Sequence, residues 1–413
     1  MKKVNINIFK FVLVILFALS FYYLGGNRGF NLDFGYFFPH IISLIFIALL
    51  LVKNKNVNID KCIIKGFSFA FKPEVITILI GFILFLLYGY DFSYFKHGVS
   101  STLLYLLPIL EALALIYIFK DDALDLIFLG SVISYCIVIF YFIINNGLFQ
   151  LFITLYNQIF NNSATFTILE AHEITFVFGL FFLYYINYPK KYFFRIIICL
   201  FFLFLGFKRI LALALVISLL FKYFANMIKS DISYKRFLFI VSLSIIFICY
   251  LWIFLLRDGY LMNNYYNVNA YEDSTGISGR LGLSFQLNSQ YDFSVTYVGK
   301  GFSFVDQYRE ENIIDNSVGL HNDLLRKYVE YGFIIYGIYL YYRLYVISKK
   351  LLYYKDRNNS IIYMMMMIST IICWATDNIA GYFVFLVCFN SFLIYLFYDK
   401  TVRGDKYVNK NTQ

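Results

Sequence analysis

The stretch "FLFIVSLSIIFICYLWIFLL", residues 237–256, contains twenty residues and no charged side chain. A helix rises about 1.5 Å per residue, so this stretch reaches about 30 Å, the thickness of the hydrocarbon core of a bilayer. Lys235 and Arg236 precede it, and Arg257 and Asp258 follow it. An apolar run of this length between charged flanks predicts a membrane-spanning helix.

The composition of the whole chain supports the same interpretation. Of 413 residues, 61% are hydrophobic and 15% are charged, whereas soluble domains have about 25% charged residues. A soluble globule is therefore excluded. The net charge of +10 would suggest nucleic acid as a partner of a soluble protein. Here it is expected at the cytoplasmic rim, close to anionic lipid, so the bilayer is a partner and nucleic acid is not.

Apolar runs recur from end to end and predict an all-α polytopic membrane protein with about twelve transmembrane helices. The runs lie at about 8–26, 36–53, 74–90, 102–119, 123–144, 170–187, 192–206, 209–228, 237–256, 328–347, 360–376 and 380–398. The seventh and eighth form a tight hairpin. Three regions follow: helices one to nine in residues 1–256, one large loop in 257–327, and helices ten to twelve with a tail in 328–413. The first run could be a signal peptide, but the charge distribution favours an uncleaved helix.

Lysine and arginine predict the orientation. With both termini in the cytoplasm, the inner segments hold 25 of the 35 basic residues, as the positive-inside rule requires. The large loop before the tenth helix is then outside, which in a bacterial inner membrane is the periplasm. All four histidines, His40, His97, His172 and His321, fall on this outer side.

A cationic pair opens the eighth predicted helix. Lys208 and Arg209 lie in "GFKRILALAL", residues 206–215, on the outer side in spite of the positive-inside rule. Long side chains can reach the head groups from such a position. The turn is short, however, and a cationic pair held there also fits a bound anion.

The large loop carries a second set of candidates. Arg280 lies among small residues in "GISGRLGLSF", residues 276–285, and Lys300 lies in "YVGKGF", residues 297–302. Between residues 257 and 325 the loop has four basic and nine acidic residues, so it has no general positive field. An anion would have to be bound by individual side chains such as Arg280. The alternative is that Arg280 pairs with Glu272 or Asp273.

The stretch "GLHNDLLRKYVEYG", residues 319–332, collects polar side chains before the tenth helix. Asn322 or Asp323 is a suitable N-cap, and Arg326 and Lys327 are expected at the membrane interface. His321 has no such structural explanation. A histidine beside acids can act as a base towards a hydroxyl group.

A fourth stretch, "LEAHEITF", residues 169–176, begins the sixth predicted helix. It places Glu170 and Glu173 on one helical face with His172 between them. The two glutamates could favour the positive helix N-terminus. Together with His172 they could instead orient a sugar hydroxyl or hold an arginine.

Known catalytic and metal motifs are not found in the chain. It contains no GxGxxG, Walker, HExxH or paired CxxC motif, and none of its six cysteines lies in the outer loop. We therefore expect no metal and no cofactor. Since ATP and nucleotide sugars are cytoplasmic, an outer-face reaction would need a substrate that was activated beforehand.

The ordered set of motifs resembles the bacterial O-antigen polymerase and O-antigen ligase family, the Wzy-type membrane glycosyltransferases. The motifs are "KR" at 208–209, "SGR" at 278–280, "GKG" at 299–301, "HND" at 321–323 and "EYG" at 330–332. The likeness runs from about residue 170 to 340, and the helix count extends it to the whole chain. Family ligases often have Ser or Thr before the first arginine, so Lys208 favours the polymerase.

The resemblance implies a metal-independent glycosyltransferase of lipopolysaccharide biosynthesis at the periplasmic face of the inner membrane. Its donor and acceptor would be oligosaccharides linked to undecaprenyl diphosphate, and a chain-length regulator protein would be a further partner. His321 would be catalytic. The expected substrate-binding residues are Arg209, Arg280, Lys208, Asn322, Asp323, Glu173, His172 and Lys300. The alternatives are an O-antigen ligase, which transfers polysaccharide to lipid A core, and a flippase or transporter of lipid-linked sugar.

Overall fold

A computed structural model of the chain describes Ile45 and residues 60–160, 172–206, 208–258, 287–312 and 320–398. These residues are helical with short connections, and no strand occurs among them. The all-α class predicted from the apolar runs agrees with this part of the chain.

The helices of the described residues are numbered here in chain order. They are α1 (Lys61–Tyr88), α2 (Phe92–Phe119), α3 (Ala123–Asn146), α4 (Leu148–Phe160), α5 (His172–Tyr185), α6 (Pro189–Gly206), α7 (Arg209–Met227), α8 (Asp231–Arg257), α9 (Phe304–Asn312), α10 (Asp323–Tyr341), α11 (Ile347–Tyr354), α12 (Arg357–Trp374) and α13 (Phe383–Tyr398). A π-helical turn, Tyr342–Val346, joins α10 to α11 without a break.

Within the described residues, four helical segments are long and apolar enough to cross a membrane: Lys61–Tyr88, Tyr94–Asn146, Arg209–Met227 and Asp231–Arg257. The second comprises α2 and α3 with the turn between them. Shorter apolar helices cover Glu173–Tyr185 and Phe383–Tyr398. The described part of the chain is therefore a helical bundle with the length and apolarity of a membrane protein.

Helices lie at most of the apolar runs that were predicted as spans, and their bounds differ at particular places. The runs predicted at 8–26 and 36–53 lie outside the described residues apart from Ile45. Helix α1 starts at Lys61, so residues 61–73, predicted as part of an inner loop, are helical. Helix α4 was not predicted, because thirteen residues are too short to span a bilayer.

Helices α12 and α13 form the centre of the bundle. Almost every side chain of both is buried, which is expected for helices that are apolar on all faces. Helix α13 packs against α1, α2 and α5, and α12 packs against α7. These contacts bring the N-terminal ends of α5, α7 and α10 near the connection between α12 and α13.

The end of the large loop packs into the bundle. The backbone amides of Lys300 and Gly301 donate to the carbonyls of Val329 and Glu330 at 2.9 and 3.0 Å. Helix α10 is interrupted at this place, because Gly332 has φ 75° and ψ 174°. The backbone of Val298 and Gly299 fits into the interruption: a Cβ on Gly332 would lie 2.2 Å from the carbonyl carbon of Val298.

Charged side chains inside the bundle were underestimated from the sequence. Arg326 and Lys327 were expected at the membrane interface. Instead Lys327 is 2% exposed, and Arg343 pairs with Glu74 where both are buried. Arg326 binds Asp306 of α9 at 2.7 Å. The interfacial interpretation of Lys327 is therefore wrong.

Candidate active site

His321 and Asp377 meet at the end of the bundle where α10 begins. The Nδ1 atom of His321 lies 3.3 Å from Oδ1 of Asp377, which belongs to the connection between α12 and α13. The same carboxylate oxygen accepts a hydrogen bond from the Tyr382 hydroxyl at 3.0 Å and from the backbone amide of Asn378 at 2.9 Å. Asp377 therefore fixes one nitrogen of the imidazole and is itself fixed.

The electrostatics keep Asp377 ionised. Burial alone would raise the pKa of this carboxyl, but the hydrogen bond from His321 and the positive charge of Lys208 outweigh it, so the pKa lies below its ordinary value of 3.8. A neutral His321 that donates from Nδ1 to a carboxylate presents Nε2 as an acceptor. Its side chain is 21% exposed, and Nε2 has no protein partner among the described residues. This is the arrangement of an oriented general base.

The backbone of His321 is also constrained. Its φ is 44°, in the left-handed region that side chains other than Asn, Asp and His seldom adopt. Asn322 follows as the N-cap of α10, and its side chain accepts from the amide of Leu325 at 3.0 Å. The histidine is thus held between a helix cap and a tertiary contact.

Lys208 and Arg209 belong to the same end of the bundle. Lys208 is the N-cap residue of α7 and Arg209 its first helical residue, so both lie at the positive end of the helix dipole. The charge of Lys208 acts on Asp377 and on Cys373 at the end of α12. Arg209 is exposed. The cations and the His321 pair thus share one face of the molecule.

The predicted acids Asp323 and Glu173 form hydrogen bonds to backbone amides of the protein. Asp323 is 1% exposed and its Oδ2 accepts from the amide of Ala380 at 2.7 Å. Glu173 is 9% exposed and accepts from the amide of Val384 at 3.3 Å. Both carboxylates tie α10 and α5 to the start of α13. They support the site, and the residue that orients His321 is Asp377.

The remaining predicted residue with a described side chain, Lys300, is not joined to this pair. The Lys300 ammonium lies 5.9 Å from the ring centres of Tyr88 and Phe304, beside the end of α1. His172 begins α5, and its side chain lies outside the described part. Arg280 lies outside the described residues altogether.

Asp377 and Tyr382 were missed in the sequence. The available signal was "ATDNIAGY", residues 375–382, a polar interruption between two apolar runs with one acid on the predicted outer side. Its contact with His321 crosses 56 positions of sequence and has no local pattern. Among the described residues, no group of three His, Cys, Asp or Glu side chains could hold a metal ion.

Comparison with family models, curated proteins and solved structures finds no match to this chain. The chemical interpretation therefore rests on the arrangement of His321, Asp377 and Lys208 and on the motifs.

Proposed function

We propose that the chain is an O-antigen polymerase, a glycosyltransferase that joins oligosaccharide repeat units carried on undecaprenyl diphosphate. The observation that carries the proposal is the contact of His321 with Asp377 beside Lys208. A base with one free nitrogen and a cation at a helix N-terminus are the two groups that transfer from a diphosphate requires.

His321 deprotonates the acceptor. A hydroxyl oxygen of one repeat unit forms a bond to the anomeric carbon of the other, and its proton passes to Nε2 of His321. The bond between the anomeric carbon and the diphosphate oxygen breaks, and undecaprenyl diphosphate leaves with the electron pair. Direct displacement inverts the anomeric configuration. Asp377 stabilises the imidazolium that forms.

Lys208 and Arg209 bind the donor diphosphate, with Arg280 as a third cation from the loop. An arginine can form two parallel hydrogen bonds to a phosphate group, which fixes its orientation. Negative charge grows on the diphosphate as the anomeric bond breaks, and positioned cations stabilise it. Lys300 and His172 remain substrate-binding proposals at the outer end of the bundle.

The topology belongs to the same proposal. Twelve spans with both termini in the cytoplasm put the starts of α5, α7 and α10 at the periplasmic face of the inner membrane. The three regions of the chain are then predicted spans one to nine, the loop 257–327, and predicted spans ten to twelve with the tail. The loop would also be the natural contact for a chain-length regulator protein.

Replacing His321 by alanine should abolish polymer extension. General-base contributions are about 100- to 10,000-fold, so lipopolysaccharide on a gel should collapse from a ladder to core with a single repeat unit. His97→Ala is the matched control, because His97 also pairs with a carboxylate, Glu310 at 3.1 Å, and is 24% exposed. A full ladder from His321→Ala at normal protein level would refute the proposed base.

A flippase for lipid-linked sugar is the second candidate. The interrupted helix at Gly332 and the buried charges of Glu74, Lys327 and Arg343 favour it, since transporters use discontinuous helices and charges within the membrane. Deletion of the gene distinguishes the three activities. A single repeat on core indicates the polymerase, and free lipid-linked polymer with bare core indicates the ligase. Bare core with single repeats retained on the cytoplasmic leaflet indicates the flippase.

A further inference from the structure

A stripe of large apolar side chains runs along the outside of α8. Its members are between 42% and 67% exposed: Ile240, Leu243, Phe247, Leu251 and Phe254. They follow one another at intervals of three or four residues, so they share one face of the helix. Because α8 is long and apolar enough to cross a membrane, this exposed stripe faces the lipid tails.

The stripe leads into an open groove of about 460 Å³ at the C-terminal end of α8. Phe254, the last member of the stripe, lines this groove together with Arg257 and Asp258 of the helix end and Asp292 of the large loop. Asp258 follows Phe254 by four residues and still has helical backbone angles, so it continues the same face. A lipid whose tail lies along the stripe therefore has its head group in the groove.

The charged side chains of the groove are one cation and two anions. Nη2 of Arg257 lies 3.4 Å from Oδ1 of Asp292, and the two side chains are 38% and 76% exposed. A guanidinium has five N–H groups, so this contact leaves donors for a ligand. Asp258 is exposed as well. The groove therefore fits a ligand that carries one negative and one positive group.

A head group with a phosphate and a primary ammonium matches these charges. Arg257 can bind the phosphate through two parallel hydrogen bonds, and the ammonium can donate to the carboxylates of Asp258 and Asp292. A phosphocholine head group has the positive charge but no N–H group to donate. A phosphoglycerol head group brings only negative charge, which the two carboxylates repel. A soluble sugar could use the same polar groups but has no tail for the apolar stripe.

We propose that the end of α8 binds one zwitterionic phospholipid with a primary ammonium group, such as phosphatidylethanolamine. The bound head group holds the large loop against α8, because its two charges contact residues of both. Two hydrogen bonds already anchor this part of the loop: Asn288 donates to the carbonyl of Leu256 at 3.1 Å, and the Tyr328 hydroxyl donates to the carbonyl of Asp292 at 2.8 Å. The site does not depend on which activity the outer face carries.

The test is native mass spectrometry of the full-length protein in detergent, titrated with phosphatidylethanolamine, phosphatidylcholine or phosphatidylglycerol of identical acyl chains. One phosphatidylethanolamine should bind at a lower concentration than either other lipid. Arg257→Gln should weaken its binding by about 3- to 10-fold, as expected for a charged hydrogen bond at a partly exposed site. Arg236→Gln is the matched control: it removes the same charge from an exposed position at the other end of α8 and should keep the lipid preference.

Asp258→Asn combined with Asp292→Asn is the decisive variant. The amides keep the shape of two exposed side chains, so the protein should remain folded, but they cannot attract an ammonium. The preference for phosphatidylethanolamine over phosphatidylglycerol should disappear, and phosphatidylethanolamine should raise the apparent melting temperature less than in the wild type. An unchanged preference in this variant, or equal binding of the two lipids by the wild type, would overturn the proposal and leave the groove to a soluble ligand such as a sugar.

Discussion

His321 shows how a single residue is positioned for chemistry. Three features constrain it: its own left-handed backbone conformation, the N-cap residue Asn322 directly after it, and the contact with Asp377 at 3.3 Å. A residue held in a sparsely populated conformation costs free energy that the surrounding structure must supply. Such strain is consistent with a functional role for the imidazole rather than with a helix cap alone.

Asp377→Asn should reduce polymer extension by about 10- to 1,000-fold, less than His321→Ala does. Asparagine keeps the shape but cannot stabilise the imidazolium, and it can present an N–H group to Nδ1 and reverse the tautomer. Polymer made per cell and the length distribution on the gel measure the loss. Tyr382→Phe, which removes one hydrogen bond to the same carboxylate, should retain most activity.

The pH dependence of Asp377 follows from its pKa. Because the folded state holds the pKa below 3.8, the stabilisation from this carboxylate is present above that pH and is lost as the pH falls through the lower folded value. The stability difference between the wild type and Asp377→Asn in detergent should therefore shrink as the pH falls below 3.8. A difference that did not shrink would show that the charge of this carboxylate is not what stabilises the fold.

The site was partly predictable from the sequence at this scale. His321 stood out because the helix cap does not explain it. Lys208 and Arg209 stood out because they are cations on the predicted outer side, in spite of the positive-inside rule. Asp377 did not, since its role depends on a tertiary contact between the start of α10 and the connection after α12. Asp323 and Glu173 were recognised as unusual, but their bonds to the amides of Ala380 and Val384 could not be read from spacing.

At the scale of elements, hydrophobicity predicts the helices that are long and apolar enough to cross a bilayer and misses the shorter or more polar ones. The runs predicted at 123–144 and 209–228 match α3 (Ala123–Asn146) and α7 (Arg209–Met227) within two residues. Helix α9 in the large loop has few apolar residues and was not predicted. The interruption of α10 was also hidden, because "VEYGFI" reads as one continuous helix and the segment that opens it, 297–301, lies thirty residues earlier.

Gly299→Ala should destabilise the folded protein strongly. Gly299 has φ 96°, and a Cβ there would lie 2.5 Å from the amide nitrogen of Gly332 and 2.6 Å from the carbonyl oxygen of Glu330. Backbone atoms cannot move aside as a flexible side chain can. We expect a lower apparent melting temperature in detergent and less protein in the membrane.

Gly89→Ala is the matched control for this prediction. Gly89 ends α1 with φ 63°, but a Cβ there would meet nothing within 4 Å. In the control variant the left-handed backbone costs about 1–2 kcal/mol of stability, and there is no clash. Equal losses of stability in the two variants would show that a glycine at 299 is not required for the close packing of residues 297–301 against α10.

At the scale of the whole molecule, the two ends of the bundle use charge differently. At one end Lys208 acts on a buried carboxylate beside His321. At the other, cations cap helix C-termini: Lys222 donates to the carbonyl of Ile186 at 2.8 Å, and Arg357 donates to that of Ala225. Cations favour the negative end of a helix dipole, so the lysines and arginines that predict orientation also complete the helices.

Cysteine labelling tests which end faces out. Helix α8 has 27 residues and is about 40 Å long, so Lys229 before it and Thr296 beside its end are far enough apart to lie on opposite sides of a bilayer. Both positions are exposed. In a background with Cys62 and Cys136 replaced by serine, a membrane-impermeant maleimide should label Thr296→Cys in intact spheroplasts and Lys229→Cys after lysis. Labelling of Lys229→Cys in intact spheroplasts would invert the topology and put His321 in the cytoplasm, where no periplasmic polymerase could use it.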